Sequence, residues 1–312
     1  MLEIMEQIPL APLSTFHVGG AARYGAYANS VEELQEALAF AVEKKIPYRV
    51  LGGGSNLLVA DDGYPGLILW YKDKTVDVDA ENAVVRAGAG AVTAAVAGAA
   101  ARAGLTGFEW AAGVPGTIGG AVYGNAGASG NEMKDAVSVV TVFDSGEIKL
   151  FSRGECGFAY RHSAFKKSGA IIISVELQLS HADSAAAPAA KMKEVLEYRM
   201  QTQPKGVASS GCTFKNYEPK KSEILKLAAL GVPSKFLDEL RVPTGWLIEH
   251  AGLKGFSVGS ARVSEVHGNF IEAGAGATAA DIFALIAEIK KEIREKFHID
   301  IEEEITLLSN KK

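Results

Sequence analysis

Residues 112–130 read AGVPGTIGGAVYGNAGASG, with glycine at positions 113, 116, 119, 120, 124, 127 and 130. So many missing Cβ atoms weaken any helix or strand, and the stretch reads as one long loop. Its backbone can lie close against something flat or phosphorylated. A second glycine-rich segment, Gly52-Gly53-Gly54-Ser55-Asn56, joins two β-like runs, Tyr48–Leu51 and Leu57–Val59. Alone it is either a turn or an anion cradle, in which backbone N–H groups and the Ser55 and Asn56 side chains face a phosphate. Two such loops in one lobe suit a dinucleotide better than a mononucleotide. No Gly-Lys-Ser/Thr follows either loop and no G-x-G-x-x-G opens a helix, so neither a P-loop nor a Rossmann fingerprint is present.

At 312 residues the chain is long enough for about two domains. The 34 glycines exceed the usual share, without a collagen-like period. A net charge of −5 argues against a protein built to grip nucleic acid or an anionic membrane. Two cysteines, Cys156 and Cys212, exclude a disulfide scaffold or an iron–sulfur cluster, and the six histidines show no zinc spacing, so no metal is expected. The first residues, Met1–Glu6, carry acids where a secretory leader carries Lys or Arg, and the longest apolar run, Ala87–Ala101, is too short for a bilayer. The expectation is a cytoplasmic, monomeric protein without membrane insertion.

Ser30-Val31-Glu32-Glu33 has the form of a capping box, with Leu34, Leu38, Ala41 and Val42 on one helical face as far as Lys45. A second helix is expected over Val92–Ala103. Strands are expected at Val137–Phe143, Ile148–Phe151 and Ile171–Leu179, the first two joined by Asp144-Ser145-Gly146-Glu147 as a hairpin turn. The small, polar stretch His181–Pro188 reads as a linker before a helix near Lys191–Met200. Thr278 with Asp281 opens a helix whose stripe is Ile282, Ile286, Ile289, Ile293 and Phe297. A final strand is expected to put Ile299, Ile301, Ile305 and Leu307 on one face and Asp300, Glu302, Glu304 and Thr306 on the other. The class is α+β: an N-terminal lobe of residues 1–182, in subdomains of roughly 1–70 and 71–182, and a smaller C-terminal domain of 189–312.

Several residues allow two readings. Arg161, in Tyr160-Arg161-His162-Ser163, is either a surface ion-pair arginine or a bidentate carboxylate binder. Cys212, in SSGCTFKN (209–216), is either a small buried hydrophobe or a nucleophile or proton donor. Glu304 alone reads as part of a solvated acidic face, and His267 and Asn269 as turn residues.

Taken in order, these stretches resemble the UDP-N-acetylenolpyruvoylglucosamine reductase family. The resemblance rests on Ser14-Thr15-Phe16 with Val18-Gly19-Gly20, LGGGSNLLV (51–59), FEWAAGVPGTIGGAVYGNAGA (108–128), YRHSAFK (160–166), SSGCTFKN, LIEHAGLKGFSVGSARVSEVHGNFI (247–271) and EEEITLL (302–308). It implies a lobe of the vanillyl-alcohol-oxidase/p-cresol-methylhydroxylase type that binds FAD non-covalently, and a C-terminal substrate-binding lobe. By the same resemblance Gly52, Gly53, Gly54, Ser55 and Asn56 line the flavin pyrophosphate. Gly113, Val114, Pro115, Gly116, Gly119, Gly120, Gly124, Asn125 and Gly127 wrap the cofactor further. Arg161 holds an enolpyruvyl carboxylate, Glu304 completes its pocket, and Cys212 is the proton donor. Tyr160, Lys215, Asn216 and Asn269 match positions near the UDP-sugar substrate.

The implied reaction carries a hydride from NADPH through FAD to the enolpyruvyl carbon, giving UDP-N-acetylmuramate. Little room remains between Arg161 and Cys212 for the tyrosine-bearing insertion of longer members, so the shorter, type II form is the match. Departures are Tyr217 after Phe-Lys-Asn, an insertion over Tyr217–Trp246 in which Ile224, Leu227 and Ala228 have helical spacing, and Glu303 where the family often has proline. An FAD oxidase of a small alcohol or 2-hydroxy acid on the same fold is the alternative.

Overall fold

Ser30 and Thr278 each cap a helix where the sequence placed one, and the computed structural model, which describes residues 2–310, extends these helices over Val31–Glu43 and Ala279–Phe297. The chain forms two units. The first comprises the chain as far as Ile8, then Ala22–Gly54 and Pro65–Gln201; the second comprises Pro9–Ala21, Ser55–Tyr64 and the chain from Thr202 on. Among the described residues no helix is long and apolar enough to cross a membrane.

The first unit is built on two sheets. One runs in the order Met5–Pro9, Ala21–Ala28, Tyr64–Tyr71, Tyr48–Leu51, the last pair parallel. The other is antiparallel throughout, in the order Glu147–Ser152, Val137–Asp144, Ile171–Gln178, Val84–Gly88, Val76–Asp79. Its hairpin closes on Asp144 opposite Glu147, and Ser145 and Gly146 both take positive φ, as a two-residue turn with the twist of the flanking strands requires. The helix Thr93–Arg102 buries Thr93, Val96, Ala97, Ala100 and Ala101, a stripe small enough for close packing. On Val31–Glu43 the buried positions are Leu34, Ala37 and Ala41. Val42, expected inside, is 76% exposed because it falls just past the edge of that stripe.

The stretch 181–188 is not where the units divide. Ser180–His181 pairs with Leu105–Thr106, and the following helix, Ala187–Thr202, brings Val195 and Arg199 against Gly113. These contacts hold the helix to the first unit.

In the second unit the long helix Ala279–Phe297 buries Ile282, Ile286, Ile289, Ile293 and Phe297, as its periodicity demands. Its N-terminus is fully dressed. Thr278 and Asp281 make the reciprocal box, and the Asp61 carboxylate accepts from the N–H groups of Ala279 and Ala280 at 2.9 Å. A small sheet, Ser257–Val258, Ala261–Val263 and Ile271–Ala273, packs in the same unit. So does the parallel pair Thr306–Leu308 with Leu57–Val59.

The insertion over Tyr217–Trp246 contains short helices at Ile224–Ala229 and Ser234–Asp238 and is closed at its neck, where Tyr217 and Val242 exchange backbone hydrogen bonds of 2.9 and 2.8 Å. Leu227, Val232, Leu237 and Val242 bury themselves in the core of the second unit.

Candidate active site

In the first unit the loop after strand Tyr48–Leu51 presents Gly52 and Gly53 exposed. A Cβ on Gly52 would lie 2.5 Å from Thr117 Oγ1, and one on Gly53 would lie 2.8 Å from the Cα of Gly116. The two glycine-rich segments therefore touch backbone to backbone, and only glycine permits the approach. Gly119 is seated likewise on Ala89, 2.7 Å from a built Cβ, and Gly113 lies under Arg199. Val114 and Gly116 are half-buried and Pro115 and Gly120 are exposed along the same run. Gly54 has φ +65°, and from Ser55 the chain belongs to the second unit.

The stretch 113–130 is not one continuous loop. Ile118–Gly124 forms a short helix because Thr117 accepts from the N–H of Gly120 at one end and Asn125 takes the left-handed conformation at the other. Asn125 was expected against the cofactor. Its side chain is wholly buried, with Nδ2 donating to Glu132 Oε2 at 3.0 Å and to the Ala159 carbonyl at 2.9 Å, and Oδ1 accepting from Lys134 N at 3.0 Å.

That bond to Ala159 reaches Arg161. Ala159 and His162 exchange backbone hydrogen bonds of 3.1 and 3.0 Å, leaving Tyr160 and Arg161 as the tip of a tight hairpin. Arg161 has φ +53°, a conformation that is uncommon for a side chain of its size and that the surrounding bonds impose. Its guanidinium lies 5.6 Å from the Tyr160 ring centroid, and Nη1 donates to the Gly127 carbonyl at 3.4 Å. Lys166 Nζ donates to the Arg161 carbonyl at 2.9 Å, and Ser163 Oγ to that of Tyr123 at 2.7 Å. The arginine is thus strapped to the glycine-rich run. No pattern in the sequence announces this, since the residues meet across about 35 positions.

The second unit holds Cys212 and Glu304, on neighbouring extended segments. Cys212 bridges to Phe270 and Phe214 to Glu303. The N–H groups of Glu304 and Ile305 both point at the carbonyl of Thr213, at 2.8 and 3.5 Å. Two successive donors on one acceptor break the alternation that the sequence suggested. Ile299 and Ile301 are buried, but Leu307 is half exposed and Leu308 is the buried residue. Glu304 is accordingly half-buried while Glu302 and Glu303 are exposed.

Cys212 is half-buried. Cys156 differs: it is fully buried, and that burial pushes its thiol up to about 11, so it stays protonated and inert. Lys215 pairs with Glu302 at 2.8 Å, which holds the Glu302 carboxyl below its ordinary range. Asn216 Oδ1 accepts from Thr244 N at 3.3 Å. Asn269, expected near substrate, is buried with its amide turned onto the backbone of Phe214. Asn56, expected at a pyrophosphate, donates to the Glu304 carbonyl at 3.1 Å.

Two family models match. Residues 203–308 fit the UDP-N-acetylenolpyruvoylglucosamine reductase C-terminal domain, and residues 22–150 fit an FAD binding domain. The chain is 37% identical to the UDP-N-acetylenolpyruvoylglucosamine reductase of Solibacter usitatus, covering 97% of this chain and 96% of that one. It is 34% identical to the enzyme of that name from Bacillus velezensis, over 98% and 94%. The chain belongs to the UDP-N-acetylenolpyruvoylglucosamine reductase family. The crystal structure of the Thermus caldophilus reductase superposes with a TM-score of 0.77 at 34% identity and 98% coverage of both chains. Membership makes the chain a flavin-dependent oxidoreductase of peptidoglycan precursor synthesis. The exposed Gly52–Gly53 backbone, which a Cβ would jam against Gly116 and Thr117, fits a group that must lie flush against main chain.

Proposed function

We propose that this reductase converts UDP-N-acetylglucosamine enolpyruvate to UDP-N-acetylmuramate with NADPH, as a cytoplasmic monomer. Bound FAD supplies the hydride for the enolpyruvyl methylene carbon. Gly52, Gly53 and Gly54, with Ser55 and Asn56, would hold its pyrophosphate, and the run from Gly113 to Gly127 the rest.

Arg161 binds the enolpyruvyl carboxylate. Its planar fork suits two oxygens that gain charge as the neighbouring carbon becomes enolate-like, and its strapped hairpin fixes the fork before substrate arrives. Cys212 delivers the proton to that carbon, leaving as thiolate and recovering its proton from solvent. A protonated thiol is a general acid that can supply this proton. Glu304 orients the pocket on the enol side. Lys215 and Asn216 face the sugar nucleotide; for Lys215 this requires exchanging the surface pair with Glu302 for a phosphate.

The observation that carries this reading is the hydrogen bond from Glu304 N to the carbonyl of Thr213, which puts the carboxylate-bearing segment beside the thiol-bearing one. The test is stopped-flow flavin absorbance on Cys212→Ala. NADPH should bleach the flavin at the wild-type rate, while reoxidation by the enolpyruvyl UDP-sugar slows by about 10²- to 10⁴-fold. Equal, mild effects on both half-reactions would remove Cys212 from the mechanism. Reoxidation by dioxygen but not by the UDP-sugar would point to an oxidase instead.

A further inference from the structure

Asn269 spends every polar group it has on the segment that carries Cys212 or on its own turn. Oδ1 accepts from Phe214 N at 2.9 Å and Nδ2 donates to the Phe214 carbonyl at 2.8 Å, so the side chain imitates a β-partner. Its backbone carbonyl accepts from Thr213 N at 2.8 Å, and its backbone N–H donates to His267 Nδ1 at 3.2 Å. Burial lowers the His267 pKa and so favours the neutral ring, and the Asn269 N–H aimed at Nδ1 leaves the ring's own proton on Nε2.

Behind the turn, a Cβ on Gly268 would lie 2.6 Å from the Gly245 carbonyl, so the turn is backed by main chain it cannot slide past. In front of it, the Thr213 carbonyl takes the N–H of Glu304. Asn269 thus fixes the three consecutive peptide groups that follow Cys212, the first through its backbone carbonyl and the next two through its side-chain amide. The Thr213 carbonyl, which takes the N–H of Glu304, belongs to the second of these groups.

We propose that Asn269 is a positioning residue for the reductive step, setting the place of the Cys212 thiol and of the Glu304 main chain rather than touching the UDP-sugar. The assignment rests on the proton-donor reading of Cys212. It explains the amide: Asn offers an acceptor and a donor on two separate atoms, matching the N–H and C=O of Phe214, whereas ionised Asp accepts twice and Ala does neither.

Asn269→Ala and Asn269→Asp in the flavin-loaded enzyme test it. Flavin reduction by NADPH should keep its wild-type rate. Reoxidation at saturating enolpyruvyl UDP-sugar should slow by about 100-fold, the scale on which a small misplacement of a reacting group acts, with KM little changed. Iodoacetamide should alkylate Cys212 faster than in wild type, Cys156 being buried in both. A raised KM with an unchanged maximal rate would make Asn269 a substrate contact and overturn the proposal. Wild-type reoxidation and alkylation in both variants would overturn it too, as would failure of both to fold around flavin, which would make Asn269 a folding residue only. If the wild-type enzyme is not reoxidised by the UDP-sugar, the functional reading fails, and the alkylation rates alone still decide whether Asn269 fixes the thiol.

Discussion

Asn56 Nδ2 donates to the carbonyl of Glu304 at 3.1 Å, and Thr306 N returns a bond of 2.9 Å to the Asn56 carbonyl. The last residue of the GGGSN loop therefore grips the segment of the proposed pocket glutamate from the side opposite Thr213. Asn56→Ala should cost about 1 kcal/mol of stability, the usual worth of one hydrogen bond. It should also slow reoxidation by the UDP-sugar more than reduction by NADPH, as read by flavin absorbance. A variant that merely loses FAD, with both half-reactions normal once FAD is in excess, would confine Asn56 to the cofactor.

What the sequence discloses is what local rules decide. Thr278, Asp281 and the stripe from Ile282 to Phe297 all lie within one helix, and each was found where its spacing put it. The insertion's helix at Ile224–Ala229 was legible for the same reason. Glu304 was not, because its direction depends on a carbonyl at position 213, some ninety residues upstream, which captures two adjacent N–H groups and cancels the alternation of the last strand. The helix Ile118–Gly124 was hidden by its glycines. It stands on tertiary support, with Gly119 pressed onto Ala89, which no propensity scale contains. The ordered motifs still named the family, since a motif needs only residue identities while a side chain's partner needs the fold.

The approach of Gly53 to Gly116 should be intolerant of a single methyl group. Gly53→Ala places a Cβ 2.8 Å from a backbone Cα that has no freedom to give. The expected cost is about 1–3 kcal/mol with marked loss of flavin on purification. Gly98→Ala is the control: it lies inside the helix Thr93–Arg102, and its built Cβ meets only the tip of Arg102, at 3.3 Å. That variant should gain about 0.5–1 kcal/mol and keep its flavin. Thermal unfolding and the ratio of flavin to protein absorbance check both, and full flavin in Gly53→Ala would show that the loop contact is dispensable.

Glu109 gives the first unit an acid-sensitive point. Its side chain is 2% exposed beside Lys191 at 3.7 Å. Burial pushes its carboxyl up, but hydrogen bonds from Thr106 and the N–H of Gly107, with the Lys191 charge, outweigh it and leave the pKa lowered. A depressed folded-state pKa means stability that is present above the unfolded value of about 4.3 and is lost as pH falls through the folded one. Glu109→Gln should be less stable at pH 7 by about 1–3 kcal/mol, and its unfolding midpoint should fall less steeply below about pH 4. Parallel acid limbs for the two proteins would assign the acid sensitivity elsewhere.

Replacing Asn125 should separate binding of substrate from binding of cofactor. Its buried amide serves Lys134 N, the Glu132 carboxylate and the Ala159 carbonyl, and the last of these is the base of the Arg161 hairpin. Alanine there would remove three hydrogen bonds, at about 1 kcal/mol each, and would hold a left-handed φ of 45° at a further 1–2 kcal/mol or so. Asn125→Gly escapes the second cost and should be the milder variant. In Asn125→Ala the unfolding midpoint in saturating FAD should drop on the order of 10 °C. With the hairpin loosened, Arg161 would no longer be held ready for the carboxylate, so KM for the enolpyruvyl UDP-sugar should rise while NADPH still bleaches the flavin normally. The decisive comparison is FAD affinity: a large loss of FAD with KM for the UDP-sugar unchanged would return Asn125 to the cofactor and take the strap away from Arg161.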